Sequence, residues 1–193
     1  MDDLAKTDPS FALTGIGKAG GQMDASAGVA MRESEFLIPS GDLLGKIRNV
    51  PTLSGFRSED LKILIRYSKV RLYEPEERII EEGGRDTWLF FMIHGKVKIV
   101  KNGTELAVLD KAGDIFGEMG MIEHSARSAS AYAVEETVCL AFNAADVDTL
   151  TGKNRLAFGY VLYRLFSQCL ATRLRLTTEK LIEAAGAGAA IPY

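Results

Sequence analysis

FGEMGMIEHSARSAS, residues 116–130, is the stretch that decides how this chain reads. Gly117 and Glu118 stand ten and nine residues before Arg127, and small residues follow it: Ser128, Ala129 and Ser130. Gly113 and Asp114 signal a turn just upstream, and the segment runs out into an alternating pattern, so the spacing predicts strand, short helix and strand around one cradle. That cradle suits a small anion carrying a sugar. Backbone N–H groups at a helix opening hold an anion, and glycine permits close approach. Arginine is a permanently charged fork able to grip a phosphate through two bonds. A carboxylate there would repel phosphate, so Glu118 makes sense as an acceptor for hydroxyls such as those of a ribose. The plainer alternative is an ion pair between Glu118 and Arg127 across a loop.

Outward from this stretch, short strand patterns dominate. Residues 70–73 and 78–80 are β-branched or aromatic, and Gly83-Gly84 marks a turn. Residues 88–93, WLFFMI, form a continuous apolar run short enough for a buried strand. After Gly95, residues 96–99 alternate, and Asn102-Gly103 is a strong hairpin signal leading to residues 104–109. Residues 129–134 and 137–142 complete the sheet. Upstream, Leu43, Leu44 and Ile47 fit a short amphipathic helix over residues 41–47. Ser58 is expected to cap a second helix, with Glu59 and Asp60 in its first turn and Leu61, Leu64 and Ile65 facing a barrel. The fold class expected is mainly β with flanking α: an antiparallel β-roll or jelly-roll barrel with N-terminal helices and a long C-terminal helix.

The ordered cassette from Phe116 through Ser130 resembles, without a gap, the phosphate-binding cassette of the cyclic nucleotide-binding domain family, in the form found in its kinase regulatory members. The resemblance implies that Glu118 holds the ribose 2′-hydroxyl and Arg127 the cyclic phosphate. Phe116, Gly117, Met119, Ser128 and Ala129 would supply amides or wall contacts. Many members carry proline before the arginine, where this chain has Ala126. The order of elements is also the family's, so the resemblance covers roughly residues 43–182.

Residues 154–185 contain no proline and one glycine, Gly159, which predicts a long helix. Phe158, Leu162, Leu165, Cys169, Thr172 and Leu176 repeat with the four-three spacing of a coiled-coil seam. A second line runs through Leu170, Leu174, Thr177 or Thr178, and Leu181. Two lines suggest a helix pressed between the barrel and a second subunit, hence a homodimer; a helix wrapping only its own barrel is the alternative. LATRLRLTTEKL, residues 170–181, resembles the base-facing end of this helix in the family's transcription factors. That implies a base-reading role for Thr177 and Thr178, and a place for Arg173 near the ribose carboxylate. Threonine donates and accepts, so it suits adenine or guanine. The α4 end favours cyclic AMP, whereas Ser130 occupies a position associated with guanine preference in the kinase-type cassette, so cyclic GMP stays open.

The 193 residues suit one domain with extensions: 1–40 a flexible extension capable of a transient helix, 41–150 the β-roll with its helices, 151–185 the long helix and 186–193 a flexible tail. A net charge of −3 argues against a nucleic-acid-coating surface. No apolar run reaches membrane-spanning length and the N-terminus lacks a secretory layout, so the expectation is cytoplasmic, with Cys139 and Cys169 as reduced core residues. No metal-ligand spacing is present. Glu118, His124 and Ser128 are the best catalytic trio and make a poor one; His94 reads as a turn residue. Only AAGAGAAIPY follows Glu183, so the expectation is a sensor without an output domain, acting on an unknown partner protein or its own dimer. Ligand would draw Arg127 and Glu118 inward while the long helix closes over the base. The rival reading is an assembly module of the same fold that binds no nucleotide.

Overall fold

The computed structural model describes residues 32–33, 41–123, 125–143, 145–146 and 149–185. Two antiparallel sheets face each other. The element order is β1 (Arg32–Glu33), α1 (Gly41–Arg48), a 3-10 turn (Pro51–Leu53), α2 (Ser58–Arg66), β2 (Lys69–Tyr73), β3 (Arg78–Ile80), β4 (Trp88–His94), β5 (Val97–Lys101), β6 (Thr104–Leu109), β7 (Ile115–Phe116), α3 (Glu118–Glu123), β8 (Ser130–Ala133), β9 (Thr137–Asn143) and α4 (Gly152–Ala185). The first sheet has the order β1-β2-β9-β4-β7 and the second β3-β8-β5-β6. The jelly-roll expectation therefore holds.

The first sheet is buried on both faces, which explains the unbroken apolar run of β4. Phe90 and Met92 point into the roll beside Phe116, Val97, Ala131 and Cys139. Leu89, Phe91 and Ile93 point the other way, into a core with Leu61, Leu64, Ile65, Phe158, Leu162 and Leu165 from the helices. Strands covered on both sides lose the polar alternation that exposed sheets show. At the β5–β6 hairpin, Asn102 and Gly103 both adopt positive φ, 49° and 77°, the backbone an Asn-Gly turn requires.

Three expectations change. Ser58 is the first helical residue of α2, not its cap; Arg57 takes that place, and its amide and guanidinium both donate to Asp60. Within the N-terminal extension, Arg32–Glu33 is a strand paired with β2, because the β2 edge offers unpaired backbone groups and Glu33 finds two cations there. The other expectations for residues 1–40, and that for 186–193, lie outside the described residues. On α4, the line of Phe158, Leu162, Leu165 and Cys169 turns into the protein's own core, whereas Thr172 and Leu176 are exposed. The exposed line is the second of the two expected, through Leu170, Leu174 and Leu181, and it extends back through Tyr163, Tyr160 and Leu156.

Candidate functional site

The pairing of β7 with β4, Phe116 opposite Phe90, sets the start of the cassette, and the two rings stack at 5.1 Å. Arg127 follows α3 in a loop tied to the β3–β4 turn. Its amide donates to the Gly84 carbonyl at 2.8 Å, and its carbonyl accepts from the Gly83 amide at 2.9 Å. Its side chain is buried. Nε donates to Asp86 Oδ2 at 3.1 Å and Nη1 to the Gly117 carbonyl at 2.6 Å, while Nη2 donates to Asp86 Oδ1 and to the Trp88 carbonyl. A guanidinium has five N–H groups. One N–H on Nη1 is left without an assigned acceptor among the described residues.

Two glycines make room for this guanidinium. Gly117 has φ +84°, and a Cβ there would sit 2.8 Å from the Trp88 carbonyl and 2.9 Å from Arg127 Nη1. A Cβ on Gly120 would come within 3.0 Å of the same Nη1. The glycine pattern of the cassette is thus the imprint of the arginine's packing.

Glu118, the first residue of α3, is also buried, and its partner is not Arg127. Arg173, from the second half of α4, donates Nη1 to Glu118 Oε1 and Nη2 to the Ile115 carbonyl. The ion pair across a loop is therefore replaced by two separate clamps, Arg127 with Asp86 and Glu118 with Arg173. Both side chains already lie inside, so neither is poised outside to be drawn in. Cys169, one turn before Arg173, is half-buried, and desolvation holds its thiol above the ordinary 9.0.

The remaining candidates are dispersed. Met119 is exposed, with the Ser128 hydroxyl 3.6 Å from its sulfur, and Ala129 is half-buried. The Ser130 hydroxyl accepts from the Glu82 amide at 2.9 Å, anchoring the β3–β4 turn. Thr177 is exposed; Thr178 donates to the Leu174 carbonyl of its own helix at 2.8 Å. His124 lies outside the described residues, and His94 ends β4. Asp86 and Trp88 escaped the sequence reading. An Asp after Gly-Gly-Arg reads as an ordinary turn residue, and its pairing with Arg127 spans 41 residues.

Residues 70–154 match the family described as "Cyclic nucleotide-binding domain". This chain carries a cyclic nucleotide-binding domain. It is 34% identical over 100 residues to the Cyclic AMP receptor protein of Thermus thermophilus, covering 49% of this chain and 46% of that protein. It is 31% identical over 119 residues to the cGMP-dependent protein kinase of Toxoplasma gondii, 60% of this chain and 12% of the kinase. The chain thus spans under half the length of either relative. The crystal structure of the Thermus thermophilus Catabolite Activator Protein superposes with a TM-score of 0.56 at 31% identity, over 70% of this chain and 63% of that one. A cyclic nucleotide-binding domain from Methylobacillus flagellatus shares the fold, with a TM-score of 0.62 at 24% identity.

Proposed function

We propose that this protein is a receptor for a cyclic purine nucleotide, cyclic AMP in preference to cyclic GMP. In this reading Arg127 meets the cyclic phosphate, and the carboxylate of Glu118 accepts from the ribose 2′-hydroxyl. Amides of Gly117 and Met119 line the cradle together with Phe116, Ser128 and Ala129. Thr177 and Thr178 face the base, one turn beyond Arg173. The observation that carries it is the pair of buried, separately clamped groups, Arg127 on Asp86 and Glu118 on Arg173. An anion-gripping fork in the loop after one short helix and a hydroxyl acceptor at that helix's first residue are then each held by a partner of its own. The preference for adenine rests on the α4 end, LATRLRLTTEKL; Ser130, whose oxygen accepts from the Glu82 amide and keeps a second lone pair, leaves cyclic GMP open.

Signalling follows from Arg173. It stands on α4 and holds Glu118, so a ligand that alters Glu118's hydrogen bonds shifts where α4 rests. The bias equals the difference in ligand affinity between the two positions of α4. The readout is a partner protein or a second copy docking on the exposed apolar line of α4, in a cytoplasmic protein that works without metal, membrane or nucleic acid. The assembly-module reading has one observation in its favour: four of the five Arg127 N–H groups already meet protein acceptors. Calorimetric titration with cyclic AMP and cyclic GMP, beside Arg127→Ala, separates the two. Micromolar or tighter binding that vanishes in the variant supports the receptor. Absence of heat and of thermal stabilisation at millimolar nucleotide supports the module.

A further inference from the structure

The N-terminal strand carries a charge network that the nucleotide reading leaves unused. Glu33 on β1 bridges two cations of β2, Lys69 Nζ at 2.6 Å and Arg71 Nε at 2.6 Å. Arg71 is buried, and its guanidinium lies over the indole of Trp88, 3.6 Å from the ring centroid. The same guanidinium sits 5.8 Å from the Phe90 ring, which stacks on Phe116. Trp88 and Phe116 lead directly to the two main-chain acceptors of Arg127. Trp88 supplies one carbonyl itself, and Phe116 immediately precedes Gly117, which supplies the other.

From this contiguity we infer that Glu33 and Arg71 are positioning residues for the Arg127 guanidinium, so that seating β1 on the β2 edge sets how well the cradle grips a cyclic phosphate. The physical argument is one of constraint. A guanidinium stacked flat on an indole and tied through Nε to a carboxylate has little rotational freedom, and it fixes the plane of the ring it covers. Trp88 opens β4, so the tilt of its ring and the direction of its carbonyl are set together. With the Glu33 bond removed, Arg71 keeps its charge but loses its tether, and the Trp88 carbonyl is free to swing from Arg127. The inference rests on the nucleotide-receptor reading, and its test separates the two.

Trp88 is the single tryptophan of the chain, so its emission reports the Arg71 stack without any ligand. Glu33→Gln and Arg71→Lys should each shift that emission and weaken cyclic AMP binding by about tenfold, the scale of coupling carried through packed networks. Glu33→Asp, which keeps the charge, should recover part of the loss. In an Arg127→Lys background the Glu33→Gln change should add nothing, because residues acting through one group are non-additive. A merely structural role predicts the opposite, an equal loss in both backgrounds tracking the fall in melting temperature. Unchanged affinity in Glu33→Gln and Arg71→Lys, or equal losses in both backgrounds, overturns the inference while the receptor reading stands. A parent protein that binds neither nucleotide overturns both.

Discussion

Arg127 is both a structural keystone and the proposed phosphate ligand, and these roles make different demands. Its bonds to Asp86, Gly117 and Trp88 aim the guanidinium, so binding need not pay to order a long side chain. Removing it leaves two carbonyls without the guanidinium and, among the described residues, the Asp86 carboxylate with only the Trp88 amide, at 3.1 Å. Arg127→Ala should therefore weaken cyclic AMP binding at least a hundredfold by calorimetry, within the roughly 2–5 kcal/mol typical of truncating a buried charged partner. It should also lower the melting temperature. Gly117→Ala tests the cradle from the other side. Its φ of +84° and the 2.8 Å approach to the Trp88 carbonyl leave a Cβ no place, so the variant should lose about 1–3 kcal/mol in denaturant unfolding. At the base, Thr177→Ala with Thr178→Ala should leave unfolding unchanged and narrow the ratio of cyclic AMP to cyclic GMP affinity. An unaltered ratio would reduce the end of α4 to a lid.

At the scale of elements, α4 has two halves with different surroundings. Its first half buries Phe158, Val161, Leu162, Leu165 and Phe166, with Tyr67 and Phe142 packed edgewise and tilted on Phe158. Its second half touches the domain through Cys169 and Arg173 and carries exposed leucines. Leu156, Tyr160, Tyr163, Leu170, Leu174 and Leu181 lie on the heptad line that the core leaves bare, with Leu174 70% exposed. An apolar line at four-three spacing, interrupted only at Ser167 and Thr177, is the pattern of a coiled-coil seam. If a second copy covers it, Leu174→Asp should shift the protein to monomer in analytical ultracentrifugation, and Leu162→Asp, in the core, should unfold it instead. A parent that is already monomeric with and without cyclic AMP would assign the line to another protein.

For the molecule as a whole, two carboxylates matter to acid stability, Glu33 tying β1 to β2 and Asp60 closing the cap of α2, and both titrate below their ordinary range. Burial pushes Glu33 up, but the Lys69 hydrogen bond and the Arg71 charge more than offset it, so it lies below 4.5. The Arg57 hydrogen bond outweighs burial at Asp60, which lies below 3.8. A carboxyl whose folded pKa is depressed stabilises fully above its unfolded pKa and ceases to do so as pH falls through the folded value. Stability should thus be flat near neutrality and decline below about pH 4.5 as Glu33 and Asp60 take up protons. Glu33→Gln should flatten part of that decline in melts run across the acid range. An acid limb identical in the variant would remove Glu33 from the account.

Much of the roll is written in local pattern. The Asn102-Gly103 turn demands positive φ, the apolar run at Trp88 marks a strand covered on both faces, and the glycines around Arg127 are spaced by its packing. Such features show in the residue types of one short stretch, a turn dipeptide, an apolar run or a glycine spacing, so the chain alone makes them legible, and with them the family. The partners of the key charges are another matter. Asp86 finds Arg127 across 41 residues and Arg173 finds Glu118 across 55. Nor does the heptad arithmetic of α4 say which of two lines meets the core. Glu33 lies 38 residues from Arg71, in a stretch whose composition reads as a tail. Charges pair with whatever folding brings within a few ångströms, and a helix buries the face its neighbours can fill. Those choices belong to the tertiary structure, because they depend on distances that no local pattern encodes.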